Sequence, residues 1–421
     1  MYVHVPFCVS ICPYCDFVVV AGAAVRGPRS SVGRFLAALE AELGLRADAL
    51  DAAWGPPRVR PVLETLYLGG GTPSLLPVDA IARLADVVRG RYGLADEPEV
   101  TIEANPGPDE RGDPRALRAA GVTRLSIGAQ SLDDGELRRL GRRHRAEDVA
   151  ATVSEARAAG IRSVSLDLLY DIPGQTLPTW RATLDAAVAL EPDHLSLYAL
   201  TLDDPVAEGL TGPAGDHLPT SAGARRWRLA ARGAQDDDRA AEMYELADRR
   251  LAAAGYAWYE ISNWARPGHR SRHNLAYWRR RPVEAVGPGA HAFDGRSRRW
   301  NAARLGPYLD AFAPPDAVAP GVGSGPGDRS APHLPPGGDE AIDGELAAAE
   351  AAILALRTAD GSAAMDPGQL DWLRDRLAMP IAAGLVAEDG DGRLVLTTRG
   401  RLLSNEVFRH LLPASTDDRV R

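Results

Sequence analysis

The only thiols in the 421-residue chain stand within eight positions of one another, in Cys8-Val-Ser-Ile-Cys12-Pro-Tyr-Cys15. A C-x3-C-x2-C loop is poorly laid out for disulfides and well laid out for binding a metal. Three thiolates can hold three irons of a four-iron, four-sulfide cube and leave the fourth iron open. An open iron takes a chelating ligand such as the amino and carboxylate groups of S-adenosylmethionine. An electron passed to that ligand's sulfonium breaks a C–S bond and yields a 5′-deoxyadenosyl radical. The alternative is a structural zinc site, which needs a fourth protein ligand, and the nearby candidates are His4 and Asp16.

Further polar or glycine-rich motifs follow. Leu66-Tyr67-Leu68-Gly69-Gly70-Gly71-Thr72-Pro73 closes one apolar run with three glycines, whose missing side chains let backbone approach a ligand, although such a run is also a common tight turn. Glu103 ends another run, in Thr101-Ile102-Glu103-Ala104-Asn105-Pro106, and Gln130 another, in Ser126-Ile127-Gly128-Ala129-Gln130. Asp167, in Ser165-Leu166-Asp167-Leu168, is a carboxylate among apolar neighbours and needs a partner. Each alone is unremarkable. At successive strand ends they converge on one polar cavity.

The elements that position them are βα units. From residue 1 to about 200, short β-branched or leucine-rich runs alternate with amphipathic stretches, the pattern of a parallel sheet with helices between its strands. The spacing predicts strands at 2–5, 63–68, 100–103, 124–127, 163–168 and 194–198, and helices at 32–45, 78–92, 114–120, 146–159 and 179–190. Six such units make a partial TIM-like (β/α)6 barrel, an α/β fold whose chemistry collects at the C-terminal ends of the strands.

The expected layout is a core barrel at 1–205, an accessory region extending it at 206–312, a flexible Pro/Gly linker at 313–340 and a small C-terminal α+β domain at 341–421. Within the accessory region, 209–238 reads as a surface loop or insertion. In the last domain, helical stretches at 344–356 and 366–377, a hairpin around Asp389-Gly390-Asp391-Gly392 and a helix at 401–411 give a winged-helix-like module.

Acidic residues outnumber basic ones, 57 to 48, for a net charge of −9, which argues against general nucleic-acid binding. The arginine clusters at 138–145 and 279–281 read as solvated faces. The acidic hairpin residues Glu388, Asp389 and Asp391 likewise disfavour a phosphate backbone. No apolar run is long enough for a membrane span, and no signal peptide is visible, so a reducing cytoplasmic setting is expected. The first strand already begins at Tyr2, an abrupt start that leaves room for an upstream start codon.

In these motifs the sequence resembles the radical S-adenosylmethionine family, and within it the branch of anaerobic coproporphyrinogen III oxidases and HemW-type heme chaperones. Tyr2-Val-His-Val-Pro-Phe-Cys8, the Gly-Gly-Gly-Thr-Pro turn, Asp167-Leu-Leu-Tyr-Asp-Ile-Pro-Gly174 and Tyr259-Glu-Ile-Ser-Asn263 carry the resemblance, which runs to about His291 and resumes in the C-terminal module. It implies a 4Fe–4S cluster on Cys8, Cys12 and Cys15. It also implies an S-adenosylmethionine site of Tyr2, Tyr14, Gly70, Gly71, Thr72, Glu103, Gln130, Arg142 and Asp167, with Arg142 on the cofactor's carboxylate.

Two details divide the branch. The oxidases carry another cysteine two positions after the third, where this chain has Phe17. His273-Asn274-Leu275-Ala276-Tyr277-Trp278 resembles the H-N-x-x-Y-W stretch of the chaperones, where an imidazole ligates heme iron, although a His-Asn pair among aromatics is also a common buried structural element. His269 and His291, in Pro-Gly and Gly-Pro-Gly turns, are weaker candidates, and Ala292 replaces a serine usual in the resemblance. The expectation is a chaperone that carries heme or a porphyrin to an apo-hemoprotein, such as a membrane-bound respiratory enzyme, with a homodimer as a further possibility. The alternative is an oxygen-independent coproporphyrinogen III oxidase.

Overall fold

Alternation along the strands divides the barrel into a dry and a wet side. The computed structural model describes residues 1–202, 209–312 and 333–413. The strands are β1 (Tyr2–Val5), β2 (Phe7–Cys8), β3 (Val20–Ala21), β4 (Leu63–Gly70), β5 (Leu94–Ala104), β6 (Arg124–Gln130), β7 (Ser163–Tyr170) and β8 (His194–Ala199), then β9 (Ala257–Glu260), β10 (Asn263–Ala265) and β11 (Ala285–Val286). Leu66, Leu68, Leu125, Ile127, Leu166, Leu168, Leu195 and Leu197 are fully buried in the main apolar core. The residues between them, Tyr67, Ser126, Asp167 and Ser196, line a cavity on the other face. The two-residue period of a strand thus places grease toward the helices and polar groups toward the interior.

The helices are α1 (Val32–Trp54), α2 (Val78–Tyr92), α3 (Pro114–Ala119), α4 (Asp134–Arg139), α5 (Ala146–Ala158) and α6 (Leu177–Ala189). All six expected strands occur. The sheet runs in the order β11-β1-β4-β5-β6-β7-β8-β10-β9. It is parallel from β11 through β8, with β10 and β9 antiparallel at one edge. Among the described residues β9 and β11 do not pair with each other, so the barrel is partial, as expected.

The sequence reading needs correction at several points. The stretch 209–238 is not simply a loop, because it contains α7 (Ala222–Arg232), capped by the Ser221 hydroxyl on the Ala224 N–H, and the start of α8 (Asp237–Ala253). The helix was hidden by a composition of Ala, Gly and Arg, which lacks large apolar residues on a regular period. Of the arginine cluster at 138–145, read as a solvated face, Arg138, Arg139, Arg143 and Arg145 are exposed, and the exception is Arg142, which turns inward to line the cavity at the strand ends.

Beyond α9 (Arg272–Trp278), strands β12 (His291–Phe293) and β13 (Ser297–Asn301), helix α10 (Leu305–Ala311) and β14 (Gly337–Ala341) follow. Residues 313–332 of the expected linker lie outside the described residues. Its end is not a linker: β14 pairs antiparallel with β13, and a Cβ at Gly337 or Gly338 would collide with Trp300. Glycine there serves close strand approach rather than flexibility.

The C-terminal module has its own core of Leu356, Leu373, Leu377, Val386, Leu394, Leu396, Val407 and Phe408. It comprises α11 (Gly344–Leu356), α12 (Pro367–Arg376), α13 (Ala378–Ala382), the hairpin β15 (Val386–Glu388) and β16 (Leu394–Leu396), and two short helices, α14 (Thr398–Leu402) and α15 (Ser404–Arg409), where the sequence predicts one. Ion pairs from Arg401 to Asp248 and from Arg279 to Asp360 tie it to the barrel.

Candidate cofactor site at the strand ends

The cysteine loop is held at its base by backbone. The Gly71 and Thr72 N–H groups donate to the carbonyls of Val5 and Phe7 at 2.8 and 2.7 Å, which staples the glycine turn after β4 onto the start of the loop. A Cβ at Gly71 would come within 2.6 Å of the Phe7 carbonyl oxygen, so this approach demands glycine.

Above that base, hydrogen bonds link two of the three thiols through a chain of side chains. Thr72 Oγ1 donates to Cys8 Sγ at 3.5 Å, and Asn105 Nδ2 donates to Thr72 Oγ1 at 3.1 Å. Arg142 Nη2 donates to Asn105 Oδ1 at 2.5 Å and to the Gly128 carbonyl at 2.8 Å, while its Nη1 reaches Cys12 Sγ at 3.5 Å. Asn105 was missed as a site residue; its place in the Glu103-Ala-Asn-Pro motif was the available signal.

A second guanidinium grips the loop from outside. Arg228 of α7 donates from Nε to the Pro13 carbonyl at 3.1 Å, and from Nη2 to those of Tyr14 at 3.3 Å and Cys15 at 2.8 Å. Next to it, Trp227 packs against Tyr14 and donates to the Arg139 carbonyl. Nothing in the sequence marks Arg228, because its contacts with the cysteine loop run to backbone oxygens far away in the chain.

The zinc alternative lacks ligands. Both His4 nitrogens are engaged, Nδ1 with the Tyr2 hydroxyl at 3.0 Å and Nε2 with the Val18 carbonyl at 2.7 Å. Asp16 is exposed, and among the described residues no three His, Cys, Asp or Glu side chains gather around a single-ion position. Three thiols that line one cavity without meeting at a point fit a larger metal cluster. Burial pushes the Cys8 thiol up to about 11 and the Cys15 thiol up to about 12. Metal must therefore displace protons from this loop on binding.

The loop roofs a cavity of about 430 Å³ that reaches down the barrel. Tyr14, Gly70, Gly71, Glu103, Gln130, Arg142 and Asp167 all line it with the three cysteines, so most of the residues singled out in the sequence converge. Thr72 lies behind the wall and acts through Cys8, while Tyr2 lines a neighbouring cavity.

Glu103 accepts from the Tyr67 hydroxyl at 2.7 Å and from the Gly70 N–H at 2.9 Å. Burial, assisted by the nearby Asp167, nonetheless raises its carboxyl to about 7. Asp167 is also raised by burial, against hydrogen bonds from serines that include Ser126 at 3.0 Å. Two carboxyl groups held up in this way favour a cationic ligand, which would restore their ionisation.

His273 lies elsewhere. It is 2% exposed, with Nδ1 hydrogen-bonded to Thr65 Oγ1 at 2.8 Å. Its ring stacks on Tyr67 at 4.9 Å between centroids and meets the edge of Tyr277. Thr65 is at the start of β4, whereas the thiols stand at its end, and His273 lines neither cavity.

A largely parallel open sheet with three thiols, a glycine turn and the Glu103 carboxyl at its strand ends, and Asp167 deeper in β7, has the architecture of a radical SAM protein, and residues 2–187 match the Radical SAM superfamily. The heme chaperone HemW of Mycobacterium tuberculosis is 40% identical over 412 residues, covering 98% of this chain and 94% of that protein. The heme chaperone HemW of Bacillus subtilis is 31% identical, covering 97% of each. In fold, the chain is similar to coproporphyrinogen III oxidase (HemN) from Escherichia coli, with a TM-score of 0.74 at 22% identity, covering 97% of this chain and 89% of that one. The chain belongs to the HemW family of radical SAM proteins, a family that implies a 4Fe–4S cluster and S-adenosylmethionine.

Proposed function

We propose that this protein binds heme and delivers it to apo-hemoproteins, with the cluster and S-adenosylmethionine seated at the mouth of the barrel. The observation that carries this reading is Phe17. It stands where the oxidases resembling this chain have a further cysteine, no other thiol exists to replace it, and its ring is 61% exposed beside the cluster loop. An exposed aromatic there suits contact with a flat apolar macrocycle.

In this proposal Cys8, Cys12 and Cys15 hold the cluster, and Arg142 and Arg228 fix the loop that carries them. When bound, the cluster and cofactor supply one-electron chemistry at a sulfonium. Gly70 and Gly71 let the backbone approach the cofactor, Tyr14 and Gln130 flank it, and Glu103 and Asp167 balance its positive charge. Residues 1–205 form the working barrel and 206–312 its extension, while the module at 341–421 covers the mouth or meets the recipient. The recipient is an apo-hemoprotein, such as a membrane-bound respiratory enzyme; two copies pair as a homodimer, and the setting is the cytoplasm. No helix among the described residues is long and apolar enough to cross a membrane.

Anaerobic reconstitution tests this directly. The loaded protein should contain iron and labile sulfide, retain heme and pass it to an apo-hemoprotein. Conversion of coproporphyrinogen III to protoporphyrinogen IX without heme retention would establish the oxidase instead. Zinc in place of iron and sulfide would overturn both.

A further inference from the structure

A second cavity of about 430 Å³ opens beside the first and shares with it Asp16, Phe17, Gly70 and Glu103. Its outer wall includes Asp216 and His217, on a segment to which the sequence assigns no role. That segment is anchored: Trp300 Nε1 donates to the Ala214 carbonyl at 3.1 Å, and the Ala303 N–H donates to that of Gly215 at 2.8 Å.

One carboxylate there orients two imidazoles. His217 donates from Nδ1 to Asp216 Oδ1 at 2.9 Å, and His291 approaches Asp216 Oδ2 with Nε2 at 2.9 Å. Burial opposes ionisation of Asp216, but its imidazole neighbours outweigh it and hold the carboxyl below its usual range. Burial also lowers His291, favouring its neutral ring.

We infer that this cavity docks the heme, with Nε2 of His217 as the single axial ligand to its iron and Asp216 as the positioning residue that aims it. The inference rests on the heme-carrying function proposed above and assigns a place to the cargo. Histidines that bind metals characteristically donate their other ring N–H to a carboxylate, which fixes the tautomer and strengthens the ligand. His217 has that arrangement, and its Nε2 has no hydrogen-bond partner among the described residues.

His291 serves less well. The nitrogen left without a hydrogen-bond partner among the described residues is Nδ1, crowded by its own Cβ, and the ring stacks on Trp300 at 6.0 Å between centroids with 20° between planes. Because both imidazoles hang from one carboxylate, they cannot clasp an iron from opposite faces. With one protein ligand, the bound heme would keep a coordination position available for a ligand from the recipient. Phe17 and Val18 supply apolar wall, and the shared Gly70 and Glu103 put the cargo next to the cofactor cavity.

The test uses the full-length protein, reconstituted anaerobically and titrated with hemin. Axial ligation is read by resonance Raman and EPR, and release by transfer to apomyoglobin. His217→Ala should lose the histidine signature and release hemin at least about tenfold faster, with added imidazole restoring the signature. Asp216→Asn should keep the ligand, lower the iron–nitrogen stretching frequency and weaken retention. His273→Ala should keep the wild-type signature. Iron and sulfide contents equal to wild type in each variant confirm that the cluster persists. If His217→Ala retains the wild-type signature and release rate, the assignment is overturned while the carrier function stands. If the wild-type protein itself retains no hemin, both fall.

Discussion

The thiol loop at 8–15 and the histidine helix at 272–278 belong to opposite ends of β4, and the barrel treats them differently. At the Thr72 end, polar side chains face a cavity and their hydrogen bonds converge on sulfur. At the Thr65 end, an imidazole is sealed between a threonine hydroxyl and tyrosine rings. Both segments carry residue types that ligate metals. What separates them is whether the lone pairs face space or protein, so ligand chemistry here depends on exposure at the strand ends.

That contrast can be broken most severely at the thiols. Cys12→Ser should abolish cluster assembly while leaving the far-UV circular dichroism unchanged, and a variant that still binds iron and sulfide would refute the assignment. Next comes the sealed end. His273→Ala removes a stacked, hydrogen-bonded core side chain and should cost about 3 kcal/mol of stability, read as a lower urea midpoint. Unchanged stability combined with lost heme would reverse the roles of the two regions.

Glu103 sharpens the contrast through pH. Its carboxyl sits near 7 when folded, against 4.5 ordinarily. Between those values the native state binds more protons than the unfolded chain, so the cofactor-free protein should lose stability as pH rises from about 4.5 to 7. Glu103→Gln should reduce that loss by roughly 2 kcal/mol once cavity water is allowed for, the remainder coming from carboxyls such as Glu260, which burial also raises to about 7, as measured by urea unfolding at pH 5 and pH 8. A parallel pH dependence in the variant would show the carboxyl to be uninvolved.

The smallest effect expected is at Arg228. Arg228→Ala leaves every thiol in place but frees the Pro13, Tyr14 and Cys15 carbonyls, so cluster loss to a chelator should accelerate by about tenfold while the unfolding midpoint moves by about 1 kcal/mol. Equal rates for variant and wild type would mean that the loop is rigid without its outer clamp.

The strands were legible because alternation of apolar and polar residues is a local signal. Leu66-Tyr67-Leu68 and Leu166-Asp167-Leu168 announce both the strand and the side that will hold polar groups. The cysteines and the glycine turn were legible through spacing. What escaped depends on contacts across long separations. Arg228 acts on residues more than 200 positions away, Asn105 joins Thr72 to Arg142, and Asp216 pairs with the distant His291 as well as with its neighbour His217. The misread linker end shows the same limit: glycines 337 and 338 suggest freedom until Trp300 is seen against them.

Gln130 adopts φ +63° where β6 slips out of register with β7. An L-residue in that left-handed conformation gives up roughly 1–2 kcal/mol. Glycine would relieve it, and the fold would lose nothing but an amide pointing at the cofactor cavity. The backbone is thus bent against its own preference to deliver one side chain, which makes position 130 a place where a more comfortable protein would be a less competent one.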